Sequence, residues 1–112
     1  MTTFDLSTLS DEQLQKATTE SAGRSSVTLA HEGGLRQTLI ALQSGRGLDE
    51  HTTNGVATLQ VIRGAVRLEA ASGSIALREG EIAHVPQDRH SLHADTDSVC
   101  LLSVAMGDPA KG

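Results

Sequence analysis

Aromatic residues are almost absent. The 112-residue chain has one Phe and neither Tyr nor Trp. Aromatic cages for quaternary ammonium groups, stacking platforms for single-stranded nucleic acid and ring platforms for sugars are therefore excluded as binding devices. Cysteine is as scarce: the single Cys100 cannot close an intrachain disulfide. Within Val99-Cys100-Leu101-Leu102 it reads as a small core residue, because a nucleophilic thiol needs exposure and a thiolate-favouring neighbour. Lys and Arg number 9 against 14 Asp and Glu, giving a net charge of -5 without any basic block. Such a chain repels a phosphate backbone, which argues against a nucleic-acid partner. No apolar stretch approaches membrane-spanning length, and no charged segment followed by an apolar run opens the chain. No membrane partner is expected, and the expected location is cytoplasmic.

What is present is aliphatic. Apolar residues make up 38% of the chain, so Leu, Val, Ile and Ala must build the core. The length suits one domain, which buries roughly two-thirds of its unfolded surface. The expected organisation is an N-terminal arm and helix over 1–24, a β-barrel over 25–106 and a tail over 107–112. Ser10 with Gln13 three residues later matches a capping box, and Asp11 and Glu12 then fall in the first turn. This predicts a short helix from Ser10, ending near Ser21 to Gly23.

From Ser26 the pattern becomes strand-like. Val27–Ala30, Leu35–Gln43, Ala57–Ile62, Ala65–Ala70, Ser74–Leu77, Ile82–Val85, His90–Ala94 and Val99–Val104 read as strands, separated by turns every 8 to 12 residues. His31 falls in one of these turns, at His31-Glu32-Gly33-Gly34. Gly64 supplies positive φ after Arg63, and Pro86 stops a strand because it cannot donate to a ladder. No long helices alternate with these strands, so the predicted fold class is all-β, a sandwich or barrel of about nine strands preceded by one helix.

Three stretches, Gly45 to Gly64, Gly80 to His90 and Ser98 to Ala105, together resemble the small single-domain cupins, double-stranded β-helix or jelly-roll barrels. The resemblance covers roughly Leu35 to Ala105. The first family motif carries a glycine, a His-x-His pair, a glutamate and a closing glycine. Gly45, His51 and Gly64 match it, whereas Thr53 stands at the second His and Ala57 at the glutamate. The second motif is matched by Gly80, Pro86 and His90, with Asp88 at a usual glycine and Ala94 at an asparagine. The scaffold positions persist while two of four expected ligands are replaced, so the metal-binding motif is degenerate.

The resemblance implies that His51 and His90 lie inside the barrel, and parity groups His51 with Thr53 and Ala57 on the interior face. The ligand-binding residues expected from this are His51, Thr53, Gln60 and His90. A divalent transition metal (Fe, Mn, Ni or Zn) would be held by His51 and His90, with His84 or His93 as an extra ligand. Arg36 and Gln37 would reach the barrel mouth. Parity sets His93 opposite His90 and turns Glu50 away unless the strand bulges. Asp88 and Arg89 read as a turn, and no nucleophilic triad or phosphate loop is assembled.

Three functions compete. The first is a module binding a small molecule inside the barrel near His51 and His90, with walls of Leu59, Val61, Leu68, Val85, Leu92 and Leu101 or Leu102. The second is a metal-dependent enzyme of oxygenase or isomerase type with a non-standard His site. The third is a catalytically inactive structural or interaction module. A homodimer is expected, since the sheet edges and the apolar stripe of the helix suit one. No catalytic residue is assigned.

Overall fold

A computed structural model describes residues 1–52 and 55–106. One helix, α1 (Leu6–Ala17), precedes nine strands: β1 (Arg24–Glu32), β2 (Leu35–Leu42), β3 (Gly47–His51), β4 (Val56–Arg63), β5 (Ala65–Ala70), β6 (Gly73–Arg78), β7 (Ile82–His84), β8 (His90–Ala94) and β9 (Ser98–Ala105). They form two antiparallel sheets, one ordered β1-β2-β9-β4-β7 and the other β3-β8-β5-β6. The all-β expectation holds, and eight of the nine strands lie near the positions read from the sequence, whereas β3 (Gly47–His51) was not among them. His31, expected in a turn, lies within β1, one residue before its end at Glu32. The segment 107–112 lies outside the described residues. Among those described, no helix is long and apolar enough to cross a membrane.

Strand alternation divides the apolar residues between two cores. Ile40, Leu42, Ala57, Leu59, Val61, Val66, Leu68, Leu92 and Cys100 point between the sheets. Leu39, Ala41 and Val99 point the other way and are sealed by Ala17, Leu9 and Leu14 of α1. The helix thus covers the outer face of the larger sheet over β1, β2 and β9, and leaves β4 and β7 beside it. Gly64 joins β4 to β5 at φ +86°, and a methyl there would overlap the Asp97 carbonyl oxygen and the Ser98 hydroxyl. Only glycine satisfies both the angle and the space.

The helix start differs from the expectation. Asp5 is the cap: its carboxylate accepts from the Ser7 N–H at 3.0 Å and the Thr8 N–H at 3.2 Å. These bonds, the one from Thr8 foremost, hold the Asp5 carboxyl below its ordinary value. The helix ends at Ala17, before the predicted stop. Ser10 and Gln13 lie within it, buried against the sheet, and Gln13 Oε1 accepts from the Ser25 hydroxyl instead of closing a box. Among the described residues Ser10 Oγ has no hydrogen-bond partner. Burying an unpaired hydroxyl costs on the order of 1–3 kcal/mol. Ser10→Ala should therefore raise the unfolding free energy by about 1 kcal/mol in urea melts; a loss of that size would mean the hydroxyl is paired.

Cys100 is fully buried, as its strand context implied, and burial pushes its thiol from 9.0 up to about 12. A raised thiol value stabilises the fold fully below pH 9.0, and this contribution is lost as the pH climbs from there to about 12. Relative to a Cys100→Ala variant, the parent should lose up to about 1.4 kcal/mol more stability per pH unit in that window. Parallel pH profiles of the two proteins would contradict this.

Candidate functional site

β3 and β8 are neighbours, and their register pairs His51 with His90. The two rings meet edge to face, with centroids 4.5 Å apart and planes at 67°. Each ring is fixed by its own strand. His51 Nδ1 lies 2.7 Å from the Asp49 carbonyl oxygen, and His90 Nδ1 lies 2.9 Å from that of Asp88. A carbonyl can only accept, so each neutral ring carries its proton on Nδ1 and its lone pair on Nε2. His90 is buried whereas His51 is exposed.

Beneath the rings lies a cavity of about 30 Å³, walled by Ile40, Leu48, Leu59, Leu68, Val85, Leu92 and Leu102. Five of these walls were expected. Val61 packs in the same core without lining the cavity, and Leu101 faces α1 on the other side of β9. Ile40 and Leu48 are additions. Ile40 could have been found by its alternation with Leu42, but Leu48 could not. It stands three residues from His51, and both reach the cavity because the β3–β8 register shifts between them.

The other candidates do not join the pair. Gln60 was expected among the ligand contacts, but it alternates with Leu59 and Val61 and so faces outward, beside Leu101 and Ile82. His84 pairs with Thr58 on that same outer face and is exposed. His93 lies on the outer face of the smaller sheet, as parity required, with Nε2 at 3.1 Å from Glu69. There Arg67 bridges to Asp95 at 2.9 Å, and that bond and charge raise the guanidinium above its ordinary value. Glu50 turns away despite the bulge and meets Arg89 at 2.9 Å. Arg36 donates to His31 Nε2 at 2.8 Å and Gln37 to the Ser103 hydroxyl, and neither lines the cavity. Ala57 is in the interior, where parity placed it. Thr53 lies outside the described residues.

Solved structures share this arrangement of sheets. A cupin superfamily protein from Desulfitobacterium hafniense matches with a TM-score of 0.71 at 16% identity, over 75% of this chain and 78% of that one. An RmlC-like cupin from Shewanella frigidimarina matches at 0.70 and 15%, over 82% and 84%. The domain has the cupin fold. A conserved protein of unknown function from Streptococcus pyogenes matches at 0.72 and 23%, over 80% and 79%. No family model and no curated protein matches the sequence. At these identities the likeness is one of fold, and one fold hosts many functions.

The cupin fold raises the question of a metal, and the donor set answers it. Catalytic metal sites ordinarily present three protein ligands. Among the described residues no three of His, Cys, Asp and Glu gather in one place. Ala57 offers a methyl where the family places a carboxylate, Glu50 is engaged by Arg89, and His84 and His93 stand on outer faces. The expected extra ligand is therefore absent from both positions that sequence reasoning named for it. These residues do not fit a resident catalytic metal.

Proposed function

We propose that this cupin domain is a small-molecule binding module whose ligand sits at the His51–His90 pair. The observation that carries the reading is the pairing of two backbone-anchored imidazoles with a cavity whose other walls, among the described residues, are aliphatic. Apolar walls with a few placed polar groups are the usual composition of ligand pockets. The volume of about 30 Å³ has room for roughly two water-sized groups. A drug-sized pocket is at least about tenfold larger. The ligand therefore buries only a methyl or ethyl-sized end among Leu68, Val85 and Leu92, and keeps its polar end at the imidazoles near the mouth, where His51 is exposed.

Methyl-resolved NMR with short-chain alcohols, amides and carboxylic acids tests this. Binding should shift the Val85 and Leu92 methyl signals, and His51→Ala should abolish the shifts. Unmoved methyl signals across the whole set at millimolar concentrations would rule the reading out.

A further inference from the structure

The cavity under the imidazoles shares one wall with a second space. The register lays Leu48 of β3, Leu92 of β8, Leu68 of β5 and Ile75 of β6 in a single row across the smaller sheet. Directly paired residues share a face of a sheet. Leu48 and Leu92 line the cavity. Ile75, on the edge strand β6, lines an open cleft of about 220 Å³ together with Ser72, Ser74, His84 and Pro86. Leu68 stands between the two and lines both. On the facing sheet Val85 lines the cavity, while its chain neighbours His84 and Pro86 line the cleft. The Val85 N–H donates to the Ala57 carbonyl at 2.9 Å, which fixes that side of the boundary. Leu68 itself is 3% exposed, so its side chain fills the space between cavity and cleft.

We infer that Leu68 is the specificity-determining residue that sets ligand length, an inference that rests on the binding reading proposed above. With its polar end at the imidazoles, the ligand points its apolar end at Leu68. The cavity of about 30 Å³ is full after one or two carbons. A longer chain meets the Leu68 side chain, and close-packed interiors do not stretch by a methylene without cost. Beyond Leu68 the cleft has several times the volume, and Ser72, Ser74 and His84 would suit a second polar end. One side chain therefore selects linear molecules with a single polar end and a short tail. It excludes longer chains and molecules polar at both ends. It also keeps the water of the open cleft out of the cavity.

NMR titration with the primary alcohols from ethanol to 1-hexanol tests the inference. In the parent, affinity should peak near 1-propanol and be at least about tenfold weaker for 1-hexanol, with the Ser72, Gly73 and Ser74 amide signals unmoved. In Leu68→Ala, affinity should instead rise about fourfold per methylene up to 1-hexanol, as burial of each CH₂ provides. There 1-hexanol should also shift those three amide signals. Ile40→Ala removes as many carbons from the opposite wall and should leave the amides unmoved. A parent that takes 1-hexanol as tightly as 1-propanol overturns the inference. So does a Leu68→Ala variant that keeps the parent's length limit, or that binds 1-hexanol without moving the amides. In those cases short alcohols still shift the Val85 and Leu92 methyl signals of the parent, and the binding reading stands. If no alcohol shifts them, the binding reading fails and the length inference falls with it. If Leu68→Ala does not fold, Leu68→Val decides. It should bind 1-butanol about fourfold more tightly than the parent does, and an unchanged affinity overturns the inference.

Discussion

Replacing Gly47 with alanine is expected to cost more than about 3 kcal/mol, a large part of the roughly 5–15 kcal/mol that ordinarily holds a domain folded. Gly47 opens β3 opposite His93 of β8, and a methyl on it would overlap the carbonyl oxygen of Leu92. Backbone cannot yield there as a side-chain end could. The Leu92 and Ala94 region is held from both sides, since the Ala94 N–H donates to the Arg46 carbonyl and the Gly45 N–H to that of Ala94. Gly45, two residues away, is the control. Its φ is +81°, yet nothing lies within 4 Å of an added methyl. Gly45→Ala should cost only about 1–2 kcal/mol, the penalty of a left-handed angle. Urea unfolding of the two variants separates close approach from backbone strain. Equal losses would mean that β3 does not lie so tightly on β8, and the placement of His51 against His90 would fall with it.

The second large effect separates the two histidines. His90→Ala removes a buried ring and leaves the Asp88 carbonyl without its imidazole donor. The lost packing and the orphaned acceptor together should cost about 2–4 kcal/mol. His51→Ala removes an exposed ring, one edge-to-face contact and a bond to the Asp49 carbonyl, which is exposed and can turn to water, together worth about 1 kcal/mol. Ligand binding should fall at least about tenfold in both, because each ring borders the cavity. Thermal melts and ligand titrations of both variants check this. If His51→Ala proves as destabilising as His90→Ala and binding survives, the pair is core packing and the site reading is wrong.

Much of this was legible in the sequence. Period-two alternation located every strand but β3 and the interior positions Leu59, Val61, Leu68 and Leu92, since each side chain's face follows from its parity. The turn glycines, Gly64 above all, fixed where the chain reverses. Parity also told His93 from His90. What failed did so for local reasons. Ser10 and Gln13 had the spacing of a capping box, but Asp5 was available a turn earlier, its carboxylate placed to accept from the Ser7 and Thr8 N–H groups. Gln60 looked like a pocket residue by chemistry alone, although its neighbours Leu59 and Val61 already required it to face outward. Leu48 was hidden by a bulge, which inserts a residue and reverses parity without any fixed sequence mark. The size of the cavity was not legible at all, since it depends on how seven aliphatic side chains from different strands close against one another.

The central claim is that the His51–His90 pair serves an organic ligand and holds no resident metal. Element-resolved metal analysis of the untagged protein tests it most directly, before and after incubation with Fe, Mn, Ni and Zn salts, beside a His51→Ala, His90→Ala double variant. Two protein ligands hold such ions weakly, so the account predicts less than about a tenth of a metal per chain after buffer exchange, in parent and variant alike. Near one metal per chain in the parent, lost in the double variant, would contradict it and give the domain a metal centre.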